Sequence, residues 1–283
     1  MHPLREMLRS LRASPGFALA LLLTLAAAAF NGLAVFAPAL IGGVIDMSQM
    51  HFVGADHRMH DLTFGFLFLP TVAGILAQFR RPSKNVASQL MALIPSAALL
   101  LTLLVTFVLT NNTRVLQPPW VTVMAAALIA MVLHPAGRDF FRSVRVERTN
   151  RMMLALVIVA AVPLLVFAAA NIGFQGTVTD AHAGLGHYGF MAAFSFTVIG
   201  VGLLASMRPD GWRLTAWVAG LLPAMLGAAS IVYPDPSSSL SLVWALAAIA
   251  WGVGFVAAAE LTRDAQRAVV SGSQRVLSRA ARG

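Results

Sequence analysis

Eight stretches of unbroken apolar sequence dominate this chain, at roughly 17–43, 62–79, 90–110, 120–135, 152–172, 188–207, 214–233 and 241–260. A helix needs about 20 apolar residues to cross the hydrocarbon core of a bilayer. The runs are continuous rather than alternating, so they read as helices and not as strands of a membrane barrel. The fourth is the shortest. Hydrophobic residues make up 58% of the chain and charged residues 11%, whereas a water-soluble domain carries about 25% charged residues. That balance excludes a soluble enzyme or a nucleic-acid-binding domain. The fold class expected is all-α: a polytopic membrane protein with eight transmembrane helices and no soluble domain. The first run follows a basic start, but it is much longer than the apolar stretch of about 7–15 residues in a cleaved signal, so it reads as a retained span.

The placement of charge sets the orientation. The net charge is +9, from 20 Lys+Arg against 11 Asp+Glu. With the N-terminus inside, eighteen of those cations fall in cytoplasmic segments, and only Arg58 and Arg114 lie outside. Such a bias is how membrane proteins are oriented. It predicts a multi-pass protein of the cytoplasmic membrane, both termini inside, with anionic lipid as a partner at the inner face and no nucleic acid. Leu4, Met7, Leu8 and Leu11 fall on one face of an interfacial N-terminal helix, with Arg5, Arg9 and Arg12 off it. Cysteine is absent, so no disulfide framework or thiolate ligand exists. Lys84 is the only lysine; that preference for arginine, with abundant alanine, points to a GC-rich bacterial genome.

Sparse self-similarity divides the chain. His60, Leu76, Arg81 and Pro82 recur 127 residues later as His187, Leu203, Arg208 and Pro209. After one inserted residue, Leu93 and Pro95 recur as Leu221 and Pro223, and Trp120 and Trp244 each open the last span of a half. The expected organisation is a cytoplasmic interfacial segment (1–16), a four-helix repeat (17–137), a basic linker (138–151), a second four-helix repeat (152–260) and a basic tail (261–283). Four crossings return a chain to its starting side, so the repeats are parallel about an axis normal to the membrane. Arg-Pro stops spans 2 and 6, and Pro95 and Pro223 kink spans 3 and 7. Trp120, Trp244, Tyr188 and Tyr233 fit an outer aromatic belt. Gly200, Gly202, Gly252 and Gly254 permit close helix packing.

Five of the seven histidines lie on the outer side: His51, His57, His60, His182 and His187, accompanied by Asp46, Asp56, Asp61 and Asp180. If span 2 begins near Asp56, His57, His60 and Asp61 share one face through i, i+3 and i, i+4 spacing. Two imidazoles and a carboxylate so arranged suit Zn²⁺ or Cu²⁺. His182 and His187 do not share a helix face and must converge through a glycine-rich loop. The metal-ligand set expected is His57, His60, Asp61, His182 and His187. The plainer alternative is two polar loops whose histidines bond to water and headgroups. No metalloprotease HExxH and no nucleophilic triad stands out, so no catalytic residue is assigned. Asn31 and Asn171 are polar residues within spans 1 and 5, while Gln78, His134 and Glu260 lie near inner ends.

The layout resembles the heme A synthase family, which consists of two similar four-helix bundles with histidines at the outer ends of spans 2 and 6. Asp56-His57-Arg58-Met59-His60 is similar to that family's signature in span 2, and His187 takes the matching place in span 6. The resemblance implies heme, with His60 and His187 as cofactor-binding residues. Two departures stand against it. The outer ends of spans 4 and 8 read Gln117-Pro-Pro-Trp120 and Ser241-Leu-Val-Trp244 and carry no histidine, and the acid is displaced relative to the histidine. Three functions follow as expectations: a metal- or heme-binding protein with its site on the outer face; a transporter or lipid-handling protein with a cavity lined by Asn31, Pro95 and Pro223; or an assembly partner of a membrane complex.

Overall fold

The structure is a computed structural model. It describes residues 12–41, 58–80, 82–111, 118–137, 149–234 and 239–280, with the backbone alone at 35–36, 38–41, 83, 118–120 and 263–280. Every regular element among them is helical: α1 (Pro15–Ile41), α2 (Arg58–Gln78), α3 (Val86–Thr110), α4 (Pro118–Val132), α5 (Arg151–Thr177), α6 (Ala181–Leu185), α7 (His187–Met207), α8 (Trp212–Val232) and α9 (Leu242–Ala280). A single 3₁₀ turn, Pro82–Lys84, links α2 to α3.

Seven of these helices are long and apolar enough to span a membrane. The fourth predicted span is helix α4, with 15 residues. At 1.5 Å per residue it reaches about 22 Å, short of a hydrocarbon core of about 30 Å. The predicted boundaries of the others hold to within a turn or so, except that the last helix does not stop at 260: α9 runs on to Ala280, so most of the expected basic tail is a continuation of that helix. The N-terminal amphipathic segment, the linker residues 138–148, His51 and His57 lie outside the described residues.

Sequence sets each helix end. At α5, the Asn150 side chain accepts from the Met152 and Met153 amides at 3.0 and 3.2 Å, an N-cap that satisfies two of the four orphaned donors. At the end of α7, Arg208 adopts a left-handed backbone with φ 52° and Pro209 follows, so the helix cannot continue. The Asn85 side chain bonds the Ala77 carbonyl at 3.0 Å and closes α2 against α3.

The packing is ordered by burial. Helices α2 and α7 are the most buried and lie side by side; α1, α5 and α9 are peripheral. The periphery carries exposed Leu22, Phe30, Val159, Val162, Val166 and Val253, a surface that lipid solvates and water does not. In the first half α1 packs on α2 and α4, and α3 packs on α2 and α4. In the second half α5 packs on α7 and α9, and α8 packs on α7 and α9. One apolar core runs through both halves, including Leu67 of α2, Met91 of α3, Phe194 of α7, Leu222 of α8 and Phe255 of α9.

Glycines bring some backbones close. A Cβ on Gly220 would stand 2.5 Å from the Gly252 carbonyl oxygen, and one on Gly252 would collide with the Gly220 carbonyl. Gly202 abuts Val157 and Gly200 abuts Ile94, as expected, but Gly254 faces open space and has no packing role. The aromatic belt needs a larger correction. Trp244 is exposed, but Tyr188 is buried and Tyr233 packs against the core. The Trp120 side chain is not among those described.

Candidate metal centre

Helices α2 and α7 start beside each other, so their first turns meet at one end of the bundle. Each begins with chemistry-bearing residues: Arg58, His60 and Asp61 on α2, and His187 and Tyr188 on α7. His182 reaches the same place by a corner. On a continuous helix, residues five apart diverge by about 140°. Here Asp180 caps the short helix α6 by accepting from the Ala183 amide at 2.8 Å, and Gly186 turns the chain with φ 79° before α7 begins. That left-handed turn favours glycine, which has no Cβ to clash. It folds His182 back onto His187, as the sequence requires if the two are to share a site.

The result is a three-histidine cluster. One ligand nitrogen from each of His60, His182 and His187 lies within 4.8 Å of the others. Ring centroids are 4.8 Å apart for His60–His182, 5.1 Å for His60–His187 and 5.7 Å for His182–His187. His60 and His187 are buried and His182 is part-exposed, so His182 is the most accessible of the three. Below it, Phe64 and Phe190 pack at 4.5 Å and form an apolar floor.

Two carboxylates flank the imidazoles. Asp61 Oδ1 stands 3.8 Å from His187 Nε2, and Asp180 Oδ2 stands 3.7 Å from His182 Nδ1. Asp180 also accepts from the Tyr188 hydroxyl at 2.8 Å. Burial alone would raise the Asp180 carboxyl, but the Ala183 amide, the Tyr188 hydroxyl and His182 together hold it below its ordinary value. It therefore stays an anion beside His182 at neutral pH.

Of the predicted ligands, the structure brings together His60, Asp61, His182 and His187. His57 lies outside the described residues. Two contributors were missed. Gln175 donates to the Ala183 carbonyl at 2.8 Å and accepts from the Gly189 amide at 3.0 Å, so it pins the corner from α5. Tyr188 is a positioning residue rather than a belt residue. A carboxamide near the end of an apolar helix was the available signal for the first. A tyrosine directly after a histidine was the only one for the second.

The other polar residues that the sequence singled out within the bundle have partners of their own. The Asn31 and Asn171 side chains donate to carbonyls four residues back, of Ala27 and Phe167. Gln78 and His134 pair at 3.2 Å, and Glu260 accepts from Arg213 and Trp217. An apolar crevice of about 310 Å³ lies between α3 and α5, lined by Val105, Leu109, Leu165, Ala168, Ile172 and Phe196 among others. It includes none of Asn31, Pro95 and Pro223. Pro95 and Pro223 are buried within α3 and α8.

Comparison with family models, curated proteins and solved structures yields no match.

Proposed function

We propose that this chain is a multi-pass protein of the cytoplasmic membrane that binds one divalent transition-metal ion through His60, His182 and His187. Convergence of the three imidazoles carries the reading: His60 from the first half of the chain and His182 and His187 from the second place ligand nitrogens within 4.8 Å of one another. Zn²⁺ or Cu²⁺ binds histidine nitrogen at about 2.0–2.1 Å, so tetrahedral ligands stand about 3.3 Å apart. Rotamer adjustment of two side chains closes that difference. Asp61 or water completes the coordination, and Asp180 orients His182 as carboxylates do behind metal-bound histidines.

A bare ion fits better than heme. Axial ligands must approach a macrocycle end-on from opposite sides. His60 and His187 instead stack nearly face to face, 5.1 Å apart with 23° between the planes, and His182 fills the adjoining space. The halves play distinct parts: the first gives His60 and Asp61, the second His182 and His187. Equivalent neighbour orders within each half support a repeat of two four-helix units, with α4 as the short eighth crossing. The arginine bias supports placing the histidine end outside.

Elemental analysis of the purified protein tests this reading. About one zinc or copper per chain is expected, falling to background in His187→Ala with helical content unchanged. Metal-free protein that also fails to take up Zn²⁺ or Cu²⁺ on titration would overturn it.

A further inference from the structure

The opposite end of the second half carries a buried arginine with no ion-pair partner among the described residues. Arg208 is only 7% exposed. Its guanidinium lies between α8 and α9: Nη2 donates to the Thr262 hydroxyl at 2.5 Å, and the group sits 4.7 Å from the Trp212 ring centroid. Its Nε is buried with no hydrogen-bond partner. Burial pulls the Arg208 side chain below its ordinary pKa, and no carboxylate among the described residues pairs with it.

The neighbouring acceptors Thr262, Asn150 and Glu260 are already engaged. The Thr262 hydroxyl also accepts from Asn150 Nδ2 at 2.8 Å and donates to its own helix at the Ala258 carbonyl at 2.7 Å. A hydroxyl has one donor and two acceptor positions, so Thr262 is full. The Asn150 oxygen is taken by the Met152 and Met153 amides. Glu260, two residues before Thr262, is held by Arg213 and Trp217. Helices α5 and α8 both begin here, with 27 and 21 residues, and turn their positive ends toward the same region. Among these described groups, donors and positive charge exceed the acceptors left open, at a buried position. A buried guanidinium left so is costly unless an anion meets it.

We infer that Arg208 binds a phosphate group, on an anionic lipid headgroup or as free phosphate, at the end of the bundle remote from the histidines. An arginine fork matches phosphate geometry, and the site lies where a spanning helix ends, at headgroup depth. The inference does not depend on metal binding.

Thermal unfolding of the full chain in detergent tests it, with phosphatidylglycerol, phosphatidylcholine or inorganic phosphate added. The midpoint is expected to rise by several degrees with phosphatidylglycerol, and by less with phosphatidylcholine. A rise with inorganic phosphate as well identifies free phosphate as a ligand; a rise with lipid alone identifies the headgroup. Arg208→Gln should lose the increment and Arg213→Gln should keep it. Equal responses in wild type and Arg208→Gln, or no response to any of the three, would overturn the inference. If Arg208→Gln does not fold, native mass spectrometry of the wild type decides: a retained phospholipid or phosphate adduct supports the site, and bare protein after gentle detergent removal refutes it.

Discussion

At the scale of single residues, the supports of the cluster are as testable as its ligands. The Asp180 carboxylate stands beside His182 and is held by Tyr188. Carboxylates behind metal-bound histidines are worth about 10–100-fold in affinity, so Asp180→Asn should weaken Zn²⁺ binding by about that factor, read by competition with a fluorescent chelator. Unchanged affinity would remove Asp180 from the site. A second histidine answers to pH. His134 lies just past α4, buried against Phe17 and Gln78. Desolvation drops its pKa to about 4 from 6.5, although a bond to the Pro82 carbonyl opposes this. Between those values the unfolded chain binds more protons than the folded one, so stability rises with pH through that window and falls on acidification. The unfolding midpoint should drop between pH 6.5 and 4, and His134→Gln should flatten that part of the profile. Much of the site was legible at this scale. His60 and Asp61 stood out by their shared helix face, and His187 by its offset of 127 from His60. Tyr188 did not, because an aromatic at a span end reads equally well as a belt residue, and only the fold shows what its hydroxyl meets.

At the scale of elements, two contacts decide how helices sit. Helices α8 and α9 touch through Gly220 and Gly252, where an added Cβ meets backbone oxygen that cannot move aside. Overpacking of this kind costs about 1–3 kcal/mol. Gly252→Val should therefore lower the unfolding midpoint, and Gly254→Ala, with nothing within 4 Å, should leave it unchanged. Equal effects would mean the two helices do not pack as described. Loss of the cap in Asn150→Ala should cost about 1 kcal/mol, and more if its bond to Thr262 matters. Helix positions were readable in advance because the apolar runs are long and end at Arg-Pro, asparagine or glycine. The corner at 180–187 was not. A five-residue helix has too few residues to show periodicity, and its geometry depends on Gly186 and on Gln175 from a neighbouring helix.

At the scale of the whole molecule, the account requires both ends of each long helix to report consistent sides. The chain has no cysteine, so single introduced thiols can be labelled without background. Arg151→Cys and Ala181→Cys sit at opposite ends of the α5–α6 segment. An impermeant reagent added to intact cells should label the second and spare the first; the reverse pattern would invert the orientation. The arginine bias predicts which way the chain faces, and the pairing of α2 with α7 was hinted at by the offset between His60 and His187. What no sequence pattern gave was the depth of the histidine cluster. Burial of His60 and His187 follows from α2 and α7 being the two innermost helices, a consequence of tertiary packing alone.

The central claim is that three imidazoles from two halves of one chain meet at a single metal ion, and electron paramagnetic resonance of the Cu²⁺-loaded protein tests it most directly. The account predicts one bound copper per chain, with nitrogen hyperfine structure from three ligands that falls to two in His60→Ala. A spectrum of loosely bound copper, or one indifferent to loss of His60, would contradict it.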